Sequence, residues 1–156
     1  MRLALFQPDI PQNTGTILRM AACLGIDVDI IEPAGFDVSD RNLKRTGMDY
    51  LDHVSIQRHA SWEAFNEWKN RNDWRLVLST VRGQSIYTQF QYTFQDILML
   101  GRESAGFPEC VHNAADSSVV IPMQEGMRSL NVAISGAMIV GEALRQTHPS
   151  WSPSPL

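Results

Sequence analysis

Leu3-Ala4-Leu5-Phe6, then Gln7-Pro8, then Pro11-Gln12-Asn13-Thr14-Gly15 leading to Arg19, is the stretch that decides how this chain folds. Its first four residues form a short, continuous apolar run, the pattern of a strand covered on both faces. From Thr14 to Leu24, helical spacing brings Ile17, Leu18, Ala21 and Leu24 to one side. The same alternation continues outward from this unit. Apolar runs recur at Val28 to Ile31, Leu76 to Ser79, Ile97 to Leu100 and Val119 to Ile121, with a weaker candidate at Val54 to Gln57. Helical stretches lie between them: a short basic one over Ser39 to Thr46, another over Ser61 to Asn70 carrying Trp62, Phe65 and Trp68, and a short one over Pro108 to Ala115. A last helix runs from about Asn131 to Gln146. Alternating strands and helices predict an α/β domain with a mainly parallel sheet and helices on both faces.

In such sheets, ligands bind beyond the carboxyl ends of the strands. Thr80-Val81-Arg82-Gly83, Gly101-Arg102-Glu103-Ser104-Ala105-Gly106 and Met123 to Arg128 all follow predicted strands, so they are expected on one edge. Arg128-Ser129-Leu130-Asn131-Val132-Ala133-Ile134-Ser135-Gly136-Ala137 adds polar residues where the last helix begins. Together with Pro11 to Arg19, these edges predict one composite site. Individually they leave alternatives open. Gly101 to Gly106 is not GxGxxG and comes too late in the chain for a dinucleotide fingerprint, and GxxxxGK[ST] is absent. Glu103 either accepts hydrogen bonds at a ligand or caps the following backbone. Arg19 is either a surface arginine with a packed stem or a phosphate anchor. Asn131 either caps its helix or serves the site. Arg41, Lys44 and Arg45 share one helical face, as a solvated surface or a phosphate-binding patch. The small residues Ala133, Ser135, Gly136, Ala137 and Gly141 suit tight packing on the sheet or a subunit interface.

The 156 residues are enough for one domain with a real core, and 44% apolar with 19% charged is ordinary for a globular protein. No run of 18 apolar residues occurs, so no membrane span is predicted, and the opening run is too short for a signal peptide's core; a cytoplasmic location is expected. A net charge of −4 argues against a surface coated for nonspecific nucleic-acid binding, while leaving room for a local RNA-binding patch. Cys23 and Cys110, with no CxxC pair, are expected to be small buried residues rather than a disulfide. His53, His59, His112 and His148 are scattered, so no metal site is predicted. The segment 148–156, with three prolines after His148, reads as a Pro/Ser-rich tail following a single domain over 1–147.

The ordered set of these segments resembles the SPOUT superfamily of RNA methyltransferases, and within it the TrmL type. The likeness runs through Ile10 to Gly15 with Arg19, Ile30-Ile31-Glu32-Pro33 with Gly35-Phe36, Leu43 to Tyr50, Gly101 to Pro108, and Ile121-Pro122-Met123 through Asn131. It implies a C-terminal trefoil knot, which topology rules alone argue against. It also implies a homodimer joined through the knot region and first helix. The implied activity is transfer of a methyl group from S-adenosylmethionine to the ribose 2′-hydroxyl of the tRNA wobble nucleotide, cytidine or uridine. On the same basis, Leu78, Ser79, Thr80, Gly101, Glu103, Ile121, Met123, Ser129 and Leu130 would hold the donor. Arg19, Glu103, Ser129 and Asn131 would serve catalysis, and Arg41, Lys44 and Arg45 would contact tRNA. Arg102 and the run Gln124-Glu125-Gly126-Met127 depart from the type. A guanidinium holds its proton in nearly all protein settings, so Arg19 is read as a stabiliser of the developing alkoxide or a phosphate anchor rather than as a base. Two further readings remain: a related enzyme acting on another tRNA site or on rRNA, and a noncatalytic RNA- or nucleotide-binding α/β module. A flavodoxin-like redox domain is a third possibility on architecture alone.

Overall fold

The computed structural model describes residues 1–39 and 50–148. The expected basic helix over 39–46, with Arg41, Lys44 and Arg45, lies outside the described residues from position 40 onward. In chain order the strands are β1 (Arg2–Phe6), β2 (Asp27–Ile31), β3 (Ile56–His59), β4 (Arg75–Ser79), β5 (Ser85–Ile86), β6 (Asp96–Leu100) and β7 (Ser117–Val120). The helices are α1 (Pro11–Leu24), α2 (Trp62–Arg71), α3 (Glu109–Ala114) and α4 (Val132–Thr147), with a 3-10 turn at Leu51–His53. Among the described residues these strands form one seven-stranded sheet in the order β3-β2-β1-β6-β4-β7-β5, and every pairing is parallel.

Continuous apolar runs are what a strand buried on both faces requires, and the side chains divide accordingly. Leu3 and Leu5 join the cluster on one face, Ala4 and Phe6 the cluster on the other. In β6, Leu98 and Leu100 face the first side while Ile97 and Met99 face the second, the period-two alternation of any strand. The first side is covered by α1, through Ile17, Leu18 and Ala21, and by α4, through Ala133, Ile139, Val140, Ala143 and Leu144. The second is covered by α2 and α3, through Phe65 and Val111, with Trp62 and Trp68 packed around them. Each such side chain fully withdrawn from water stabilises the fold by about 1.5–3 kcal/mol.

Local signals set the helix ends. Pro11 takes the first position of α1, where a missing N–H costs nothing, and Gly25 closes that helix at φ +65°. The hydroxyl of Ser61 accepts from the Ala64 N–H to cap α2. The side-chain oxygen of Asn131 accepts from the N–H groups of Ala133 and Ile134 to cap α4.

Two expectations need correction. Cys23 and Cys110 are exposed in the chain rather than buried. The buried residues of α1 are Thr14, Ile17, Leu18 and Ala21, and Cys23 lies two residues past that stripe on the outer side; Cys110 precedes Val111, which takes the inward position in α3. The two-residue strand β5 was not foreseen, because it has no apolar run. It exists because Gly83 passes against β7: a Cβ on Gly83 would lie 2.2 Å from the Val119 carbonyl carbon. That close approach lets Ser85 and Ile86 pair with Val119 and Val120.

Candidate active site

Parallel pairing puts all the strand exits on one edge. Thr80 leaves β4 with its N–H donating to the Val119 carbonyl at 3.0 Å, and its own carbonyl accepts from Gly83 N–H at 3.1 Å. Gly101 leaves β6 into a tight loop in which Arg102 and Gly106 exchange two backbone hydrogen bonds, at 3.1 and 2.7 Å. Gly106 has φ +66°, a conformation that favours glycine, and a Cβ on Gly101 would crowd Gly106 and the Phe107 ring at 3.1 Å. The third exit, after β7, passes through Ile121 and Met123 to Ser129, Leu130 and the Asn131 cap.

These exits enclose a cavity of about 520 Å³, within the ~300–1,000 Å³ typical of small-molecule sites. Ser79, Thr80, Gly101, Glu103, Ile121, Met123, Ser129, Leu130 and Asn131 all line it. Ile10, Asn13, Arg102, Phe107, Arg128 and Ser135 line it too. Leu78 does not: it is fully buried in the core beneath, because the strand's alternation turns it to the α2 and α3 side. Arg19 does not line it either. It is exposed on α1, with its guanidinium carbon 4.6 Å from the centroid of the Tyr50 ring.

One polar network ties the walls together. Glu103 accepts from the Asp9 N–H at 2.8 Å and from the Asn13 side-chain amide at 3.3 Å. Asn13 in turn accepts from the Asn131 side chain at 2.9 Å. Asn131 caps its helix and also lines the cavity, while Glu103 lines the cavity and bonds the Asp9 N–H rather than capping the backbone that follows it. Asp9 accepts from Arg102 Nε at 2.7 Å, from the Ser104 N–H at 3.2 Å and from the Ser104 hydroxyl. The Ser104 hydroxyl, followed by its N–H and by Arg102, holds the Asp9 carboxyl below the usual carboxylate range. Asp9 carried no signal in the sequence, since an acidic residue before a helix-starting proline looks like any turn. Asn13 lay within a quoted segment but had no partner to mark it.

The cavity's walls are mixed in chemistry. They combine apolar side chains (Ile121, Leu130, Phe107) with the backbone of a glycine-bounded loop and a few fixed polar side chains. That mixture is typical of small-molecule sites, with apolar walls and a few polar groups that fix orientation.

Comparison with known proteins agrees with this geometry. Residues 1–141 match the model of the SpoU rRNA Methylase family. A tRNA (cytidine(34)-2'-O)-methyltransferase of Ancylobacter novellus is 57% identical over 147 residues, covering 94% of this chain and 93% of that protein. The enzyme of the same description from Escherichia coli K12 is 36% identical over 148 residues, with 94% and 93% covered. Among solved structures, one concerned with the 2-OH methylation of C/U34 on tRNA superposes with a TM-score of 0.85 at 39% identity, covering 93% of this chain and 94% of that one. The SpoU methyltransferase AviRb of Streptomyces viridochromogenes, solved in complex with the cofactor AdoMet, gives a TM-score of 0.85 at 28% identity. The comparison covers 94% of this chain and 57% of AviRb.

Proposed function

The chain belongs to the SpoU rRNA Methylase family, and from that premise we propose that it methylates the ribose 2′-hydroxyl of nucleotide 34, the wobble position of tRNA, with S-adenosylmethionine as donor. The observation that carries this reading is the convergence of three strand exits and the starts of α1 and α4 on one cavity, in a chain 57% identical to a protein named for that reaction. Methylation of another tRNA site or of rRNA is the weaker reading: the AdoMet-bound rRNA methyltransferase of Sinorhizobium meliloti is 27% identical.

When bound, the donor supplies an electrophilic methyl group on sulfur, and the chain's work is alignment and exclusion of water. Orienting the reactants can lower such a barrier by as much as ~7–11 kcal/mol in ideal cases. Ser79, Thr80, Gly101, Ile121, Met123 and Leu130 form the donor's enclosure in this reading. Glu103 and Asn131, held by Asn13, stay fixed at its polar wall, and Ser129 orients the site beside them. Arg19 has the chemistry to stabilise the alkoxide that develops on the 2′-oxygen, or to hold the adjoining phosphate.

Because Arg19 lies on the exposed side of α1, we assign it to the cavity of a second copy of the chain. Other observations support a homodimer through α1 and α4. These helices pack on each other, and α4 exposes Ile134 (54% exposed) with Ala137 and Gly141 on its outer face. Nothing lies within 4 Å of a Cβ built on Gly141, so another backbone has room to approach there. We also infer the trefoil knot; its support is that the loops after β6 and β7 line one cavity while Gly136 of α4 packs against Leu100 at the end of β6. No helix among the described residues is long and apolar enough to cross a membrane; the cytoplasmic location belongs to the proposal and is supported by the tRNA substrate it names.

The deciding experiment is nucleoside mass spectrometry of tRNA from cells with and without the gene. Loss of a 2′-O-methyl mark at nucleotide 34 supports the reading. An unchanged wobble nucleotide, with the loss at another site, overturns it.

A further inference from the structure

Arg102 departs from the family resemblance, and its partner is 93 residues away in sequence: Asp9, in the turn between β1 and α1. Asp9 takes hydrogen bonds from Arg102 on one carboxylate oxygen and from both the N–H and the hydroxyl of Ser104 on the other. Its own N–H donates to Glu103. It therefore grips three consecutive residues of the loop that lines the cavity. The backbone of Gly35 closes the other side, since a Cβ there would lie 3.1 Å from Asp9 Cα and 3.2 Å from Oδ1. Apart from this grip, the loop is held by its own Arg102–Gly106 pairing, by the short turn within it, and by the Asn13 contact to Glu103.

We propose that Asp9 is a positioning residue for the donor site: it holds residues 102–104 in the one shape that points Glu103 toward α1 and keeps Gly101 to Gly106 as a cavity wall. The inference rests on the reading of this cavity as the S-adenosylmethionine site. Without Asp9 the loop samples other shapes, and a ligand must first restore the competent one. Apparent affinity then falls by the competent fraction, while the chemistry of the loaded enzyme is untouched.

The test uses the full chain and S-adenosylhomocysteine, the demethylated donor, in calorimetry. Asp9→Ala is expected to weaken binding about tenfold, the worth of one charge-assisted hydrogen bond. Asp9→Asn, which keeps an acceptor for Arg102, recovers part of the loss. Turnover at saturating donor and tRNA stays within about twofold of wild type, as expected when only the competent fraction changes. In ligand-free protein, amide exchange at residues 102–106 rises in Asp9→Ala and returns toward normal in Asp9→Asn. Should Asp9→Ala fail to fold, Ser104→Ala removes one arm of the same grip and carries the same expectations at smaller size. Unchanged affinity and exchange in these variants, or a fall in saturated turnover with affinity intact, overturns the proposal. Absence of binding by the wild-type chain overturns the donor-site reading instead, and the ligand-free exchange rates still uphold or overturn the grip.

Discussion

Asp29 illustrates how much a single buried residue carries. It lies in the middle of β2 with no exposed surface, where a lone carboxylate would be strongly disfavoured. Arg2 Nε donates to it at 2.7 Å and His59 Nε2 lies 2.8 Å away, while the Arg2 guanidinium is also stacked over Trp68 at 5.2 Å. One acid thus joins β1, β2 and β3 beneath an aromatic cover. Asp29→Ala leaves Arg2 (side chain 11% exposed) with the half-exposed Asp27 as its one carboxylate partner among the described residues. The expected loss is about 3 kcal/mol, the lower end for breaking a buried pair, read as a lower urea midpoint. A midpoint unchanged from wild type would show that this cluster contributes no net stability. At the same scale, Ser104 carries no signal in the sequence and Arg102 stands out only as a departure from the type; what the structure adds is their shared contact with Asp9.

Among the elements, α4 carries two jobs at opposite ends. Its start closes the cavity through Asn131, and its last turns tie it to the segment before β6. Gln146 accepts from the Tyr92 N–H and donates to the Phe90 carbonyl and to Glu142. Glu142 also accepts two hydrogen bonds from Arg145. The Arg145 contacts first, and Gln146 second, hold the Glu142 carboxyl down to about 2, from an ordinary value of 4.5. A carboxyl with a depressed folded-state pKa stabilises the fold above its unfolded value and loses that contribution as pH falls through the folded one. The wild type should therefore exceed Glu142→Gln in stability above pH 4.5, and the gap should close between pH 4.5 and about 2. Urea titrations across that range check this, and a gap independent of pH would remove the carboxylate from the account.

For the whole molecule, the proposed assignment of the exposed Arg19 to a second copy's cavity predicts a site shared between copies. Mixing Arg19→Ala with Glu103→Ala after unfolding and refolding together creates dimers in which one cavity is intact and faces an intact Arg19. Random pairing about a twofold axis predicts recovery of roughly a quarter of wild-type methyl transfer. If each chain used its own Arg19, no mixture would recover activity. The acidic whole also needs a local cationic surface to hold RNA. Replacing Arg41, Lys44 and Arg45 with alanine should weaken tRNA binding and flatten its salt dependence, by a slope of about 0.7–0.9 per lost phosphate contact. Donor affinity should be spared. An unchanged salt slope in the binding titration would exclude this trio from the RNA surface.

Apart from β5 and the 3-10 turn at Leu51–His53, the sequence by itself determined the described elements and their two-sided burial. The apolar runs at Leu3, Val28, Leu76, Ile97 and Val119, the stripe in α1 and the Asn131 cap are local patterns, and local sterics and hydrophobicity suffice to read them. The shared edge also followed, because parallel strands send every exit the same way. What the tertiary structure decided was adjacency: β1 beside β6, Asp9 against Arg102, Leu78 turned into the core, Arg19 outside the cavity and Cys23 facing out. These depend on strand order and on which helix covers which face, properties of the cooperative whole that no window of neighbouring residues contains.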